Sequence, residues 1–252
     1  MAFDVVADLY LRFMGRYSEP LAGHFVDLAG VRRGMHAVDV GCGPGALTER
    51  LAARLGADRV AAIDPSAMFV DAARQRCPGV DVREGRAEEL PFADGAFDVA
   101  LAQLVVHFMS DPVAGLREMG RVTRDGGVVA ACVWDHAGSR GPLSTFWNAV
   151  RELDPDASDE SSLPGVRAGH LGELARAAGL RDVAEGDLTV RVPYAAFDEW
   201  WEPYTLGVGP AGDHVAGLDD DDCEHLRSRC AELLPEGPFE VEATAWSVVA
   251  RT

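Results

Sequence analysis

The sequence predicts an α/β protein with a doubly wound, mostly parallel sheet. Apolar runs near residues 36–40, 59–63, 80–84, 97–102 and 127–134 alternate with helical patterns near 45–55, 66–76 and 112–121. Nearly continuous apolar strands between helices imply a sheet covered on both faces. The run Ala37-Val38-Asp39-Val40 then enters Gly41-Cys42-Gly43-Pro44-Gly45, and a helical pattern follows at once. Glycine is needed where a ligand must lie against bare backbone, because a Cβ would collide with it. A strand, a glycine turn and a helix start in that order form the nucleotide-binding corner of such a sheet.

The remaining elements follow along the chain. Residues from about Phe3 to Gly30 read as two helices, with apolar faces from Leu9, Phe13, Leu21, Phe25 and Leu28. Met14 to Ser18 punctuates them. The five alternating strands come next, and their carboxyl ends place Asp39, Asp64, Arg86, Gln103 and Trp134 along one rim. Gly138 to Pro142 is a loop, and residues 143–153 look helical. Residues 154–162 are acidic and small, which reads as a solvent-facing segment and not a metal site. A helix near 169–178 stops at Gly179. Strands are expected at 182–192 and 239–250, with an aromatic stretch at 197–204 and a helix near 222–234 between them. Asp219 to Asp222 suit that helix's N-terminus.

The whole chain, 1–252, therefore reads as a single domain. Residues 1–30 form an N-terminal helical cap, 31–135 the core, and 136–252 complete the sheet, with a helical cap insertion at about 193–234. Trp147, Trp200, Trp201 and Tyr204 are candidate walls of a pocket beneath that cap.

Composition narrows the partners. A net charge of −18 argues against nucleic acid and anionic membranes. No apolar run approaches the ~20 residues of a membrane span, and the acidic start lacks a signal peptide's basic region. A cytoplasmic protein, monomer or homodimer, is expected. All 23 basic residues are arginine. With no lysine, Schiff-base and phosphate-loop chemistries that require one are excluded. The five cysteines include no pair at zinc-ligand spacing, and no metal site is expected.

Gly41, Gly43 and Ala46, with Asp64 further on, satisfy the loose dinucleotide fingerprint. Asp39 opposes that reading. A pyrophosphate seeks backbone amides and a helix N-terminus, and a carboxylate beside them repels it. The same carboxylate favours a cationic ligand without phosphate. S-adenosylmethionine carries an ammonium and a sulfonium.

The motif Val38 to Gly45, the acid-containing Asp64-Pro65-Ser66, the segment Gly85 to Phe92 followed by Phe97-Asp98, and the turn Arg121 to Gly127 occur in order. In this the chain resembles the class I S-adenosylmethionine-dependent methyltransferases, closest to the ubiquinone- and menaquinone-biosynthesis type. The resemblance covers residues 30 to 135 and implies a Rossmann-like fold with an antiparallel last strand. It implies that Asp39, Gly41, Cys42 and Gly43 cradle the cofactor and that Asp64, with Pro65 and Ser66, holds the ribose. Arg86, Ala87 and Glu88 would frame adenine, Gln103 would bind the amino-acid part, and Arg16 would pair with its carboxylate. Arg86 stands where the family usually has an acid, and it can only donate.

His107 and His136 follow the fourth and fifth strands. Both are candidate catalytic bases facing a substrate cavity, since imidazole suits proton removal from a phenol or similar acceptor. The reading is methyl transfer to the O, N or C nucleophile of a small molecule. The alternatives are an NAD(P)-dependent oxidoreductase and a non-catalytic cofactor-binding regulatory protein.

Overall fold

The computed structural model describes residues 7–252. It contains one seven-stranded sheet in the order β3-β2-β1-β4-β5-β7-β6. The strands are β1 Ala37–Val40, β2 Val60–Asp64, β3 Asp81–Glu84, β4 Phe97–Gln103, β5 Thr123–Trp134, β6 Arg181–Tyr194 and β7 Phe239–Arg251. β1 to β5 pair in parallel, and β7 runs antiparallel to both β5 and β6. β1 pairs with β2 on one side and β4 on the other, so Asp39 lies level with Ala62 and Leu101. The strand order reverses at this point. It opens a crevice beyond the carboxyl ends, where ligands of such sheets bind.

The helices are α1 Ala7–Tyr10, α2 Arg16–Leu28, α3 Ala46–Leu55, α4 Ala67–Arg76, α5 Pro112–Val122, α6 Ser144–Leu153, α7 His170–Ala177, α8 Phe197–Trp201, α9 Gly209–Ala216 and α10 Asp220–Leu233. Their starts follow local chemistry. Ser66 caps α4 by accepting from the Phe69 amide, and Asp111 caps α5 with Pro112 in its first turn. Asp219 caps α10 through the Asp222 amide, as its row of acids anticipated. Among the described residues, no helix is long and apolar enough to cross a membrane.

The two-helix reading of the N-terminus is corrected, although its expected start near Phe3 lies outside the described residues. Met14 to Ser18 is not a break. A π-helical turn, Leu11–Gly15, joins α1 to α2, and Gly15 keeps right-handed helical angles. The buried face of Phe13, Tyr17, Leu21 and Phe25 overrides the glycine's weak propensity. α2 packs on α3 and β6.

The aromatic cap residues are corrected as well. Trp147, Trp200, Trp201 and Tyr204 are buried with Phe146, which stacks on Tyr204 at 4.6 Å between ring centres. They hold the cap onto the sheet and do not line the cavities described below.

Candidate active site

The glycine turn is shaped by backbone demands. Gly41, Gly43 and Gly45 all have positive φ, at 74°, 52° and 94°. The Gly41 and Cys42 amides donate to the Ile63 carbonyl at 2.8 and 3.0 Å, which ties the turn to the end of β2. A Cβ on Gly41 would stand 2.3 Å from a Val105 methyl. A Cβ on Gly43 would meet nothing within 4 Å. Only Gly41 is therefore required by close packing, while all three are favoured by conformation.

A cavity of about 530 Å³ opens beside this turn, within the usual range for a small-ligand site. Asp39, Asp64 and Glu84 line it from the ends of three adjacent strands. No arginine, lysine or histidine lies among its described lining residues. Asp39 is buried, and its Oδ2 accepts from the Thr48 hydroxyl at 2.6 Å. Its Oδ1 is buried without a partner. Burial raises the Asp39 carboxyl from 3.8 to about 7, opposed by the Thr48 bond and reinforced by the charge of Asp64.

Asp64 accepts from the amides of Gly43 and Ser66, each at 2.9 Å, and so fixes the turn across from α4. Burial raises its pKa, and those two amides hold it back. A carboxylate offers about four acceptor sites, so two remain for a ligand hydroxyl. Gln103 donates to the Ser18 carbonyl at 3.0 Å, while its Oε1 is buried and unpartnered. Cys42, Pro65 and Ser66 also line the cavity. Burial pushes the Cys42 thiol up, away from nucleophilic use.

Four of the expected cofactor residues lie elsewhere. Arg16 is paired with Glu199 at 2.6 Å and sits over the Tyr194 ring, fastening α2 to the cap. Arg86 donates to Ser110, and Glu88 accepts from the amides of Ser110 and Asp111. Ala87 packs into the sheet's second apolar face. None of the four lines the cavity. Glu84, one residue before the Gly85 motif, does. The acid closing the third strand was the overlooked signal, parallel to Asp39 and Asp64 on the first two.

A second, smaller pocket of about 50 Å³ adjoins the first and shares Tyr10, Leu104 and Phe108 with it. Phe13, Met14 and Trp134 supply apolar walls, and His107, His136 and Glu160 supply the polar groups. His107 lies on the short turn Val106–Phe108 after β4, and His136 follows β5. Their ring centres are 6.0 Å apart. Burial lowers the pKa of both: His107 falls far below its usual value, helped by His136, whose own fall is countered by Glu160, Asp159 and Asp135. Both shifts favour the neutral imidazole.

Glu160 corrects the reading of the acidic segment 154–162. It is only 5% exposed, and its Oε2 accepts from the Trp147 indole N–H at 3.3 Å. The neighbouring Asp159 is anchored by Arg151. Composition made this stretch look solvated, but two of its acids turn inward.

Comparisons with known proteins agree with this architecture. Residues 38–131 match the model of a methyltransferase domain family, type 11. The chain is 33% identical to the demethylmenaquinone methyltransferase of Renibacterium salmoninarum over 60% of this chain and 63% of that protein. It is 32% identical to the malonyl-[acyl-carrier protein] O-methyltransferase of Serratia marcescens over 58% of this chain and 59% of that one. The chain thus spans about three fifths of these curated relatives. A SAM dependent methyltransferase from Aquifex aeolicus shares the fold, with a TM-score of 0.57 at 17% identity over 98% of this chain and 97% of that one. Residues 38–131 thus carry the likeness to the methyltransferase domain family of type 11.

Proposed function

We propose that this protein transfers a methyl group from S-adenosylmethionine to a small-molecule acceptor. The observation that carries the reading is the charge of the larger cavity: three carboxylates and no cation among its described lining residues. A ligand with an ammonium and a sulfonium gains from that arrangement, and a pyrophosphate loses. The buried, unpartnered oxygens of Asp39 and Gln103 fit such a ligand, because each would otherwise carry an uncompensated desolvation cost. The nicotinamide reading has no comparable support.

Asp39 and Gln103 would hold the amino-acid part, and the turn Gly41-Cys42-Gly43 would give it backbone to lie on. Asp64 would hold the ribose hydroxyls, with Pro65 and Ser66 beside it. When bound, the cofactor supplies an activated methyl group on a sulfonium leaving group. The chain's own task is then alignment and exclusion of water. Tyr10, Leu104 and Phe108 belong to both pockets, so they border the passage across which an acceptor must meet the methyl. His107 and His136 offer neutral nitrogen lone pairs on the acceptor side. The net charge of −18 favours a cytoplasmic enzyme on small molecules, monomeric or homodimeric, without a nucleic-acid partner. The unit of function is the full chain as one domain, with 31–135 on the cofactor and the two caps on the acceptor.

The test is turnover. Incubation with S-adenosylmethionine and a panel of phenols, amines and carbanion-forming acids is expected to release S-adenosylhomocysteine with one acceptor class. Tight cofactor binding without release in any class would instead mark a non-catalytic binder.

A further inference from the structure

We propose that His107, His136 and Glu160 form a binding site for one divalent transition-metal ion, placed in the acceptor pocket. One ligand atom of each residue lies within 4.8 Å of the other two. The set is two imidazoles and one carboxylate, a donor combination that suits zinc, iron(II) or cobalt(II) with positions left open. Donors on a tetrahedral ion stand ~3.3 Å apart, so small side-chain rotations close the trio around one.

Three further observations point to a cation. The His107 Nδ1 is buried and has no hydrogen-bond partner. Glu160 is a buried carboxylate whose neighbouring arginine, Arg151, is committed to Asp159. A buried carboxylate without a counter-charge is costly, and an ion would neutralise it. Glu160 is also oriented from behind by the Trp147 indole, the kind of outer partner that metal-ligating carboxylates have.

The three residues come from separate segments, after β4, after β5 and from the turn Glu160–Ser162. The pocket around them is otherwise apolar, lined by Phe13, Trp134, Leu143 and Val208. At about 50 Å³ it has room for an ion and the tip of an acceptor. On the reading of this pocket as the acceptor's, an ion there would bind an oxygen of the acceptor and favour its deprotonated form. The substrate class is then a hydroxyl or enol compound able to ligate a metal.

The experiment uses the full chain, freed of metal with a chelator and dialysed. Titration with cobalt(II), followed by visible absorption, and with zinc, followed by calorimetry, should each show one ion per chain. In Glu160→Gln and His136→Ala, affinity should fall by more than the ~10–100-fold that a lost outer partner costs. His225→Ala, outside the trio, should bind as the parent does. X-ray absorption of the cobalt-loaded parent should count two imidazoles, a readout that needs no variant to fold. Sub-stoichiometric binding, unchanged affinity in both trio variants, or a spectrum without imidazole would overturn the site. S-adenosylmethionine affinity, measured on the same samples without metal, tests the methyl-transfer reading separately.

Discussion

The two pockets adjoin and share walls, yet they are built differently. The larger cavity takes its glycine turn and two of its three acids from residues 39–66, and the third acid, Glu84, from the end of the next strand. The smaller pocket collects Phe13, His107, Trp134, Glu160 and Val208 from five distant segments. The first can be damaged by changing a single backbone angle. The second depends on how the cap settles on the sheet. The corner is set by local geometry and the smaller pocket by tertiary packing.

The sharpest way to break this contrast is Gly41→Ala. The new Cβ would collide with Val105, and the positive φ would be strained. Together these cost about 2–4 kcal/mol. Cofactor binding should be lost in calorimetry. Adding Val105→Ala should restore it only in part, because the backbone strain stays.

Asp64→Ala comes next. It removes the acceptor for two turn amides and for the ribose, and should weaken S-adenosylmethionine by about 1.5–3 kcal/mol. Parental affinity in this variant would mean that the turn holds without its strand-end acid.

Asp39 makes the corner pH-sensitive. Its folded pKa of about 7 lies above the ordinary 3.8, so the folded state holds the proton more tightly. That contribution to stability is whole below the ordinary carboxylate range and is lost as pH rises through about 7. The ligand-free protein should therefore lose melting temperature between pH 5 and 8, and Asp39→Asn should lose less. A cationic ligand favours the ionised form. Its affinity should rise by up to about tenfold from pH 6 to 8 in the parent and stay flat in Asp39→Asn.

The smallest effect belongs to the cap. Tyr17→Phe removes the buried 2.7 Å bond between the Tyr17 and Tyr194 hydroxyls. It should cost about 1 kcal/mol in denaturant unfolding and leave cofactor affinity unchanged. A large change in affinity would show that cap and corner are coupled.

The same division explains what could be read from the chain. The strand and helix alternation, the glycine turn and the acids Asp39 and Asp64 were visible because each is a short-range pattern. β5 begins at Thr123, earlier than its apolar run, because Thr123 pairs with Phe97 before an irregularity, and the regular ladder resumes only at Val128. Arg16 was read as a cofactor residue, but nothing nearby in sequence reveals its pairing with Glu199, 183 positions away. Arg86 and Glu88 were likewise claimed by Ser110 and Asp111 across the loop after β4. Glu160 was hidden by its own neighbours, since an acidic run looks solvated whichever member turns inward. His107 and His136 were legible as strand-end residues, but their approach to Glu160 was not.

On the proposed function, the acid-lined cavity selects a phosphate-free, cationic adenosine ligand. Parallel calorimetric titrations of the full chain at pH 7.5 with S-adenosylmethionine and with NAD test it most directly. One molecule of S-adenosylmethionine should bind per chain, and NAD should give no saturable heat. Binding of NAD as tight as, or tighter than, that of S-adenosylmethionine would contradict it.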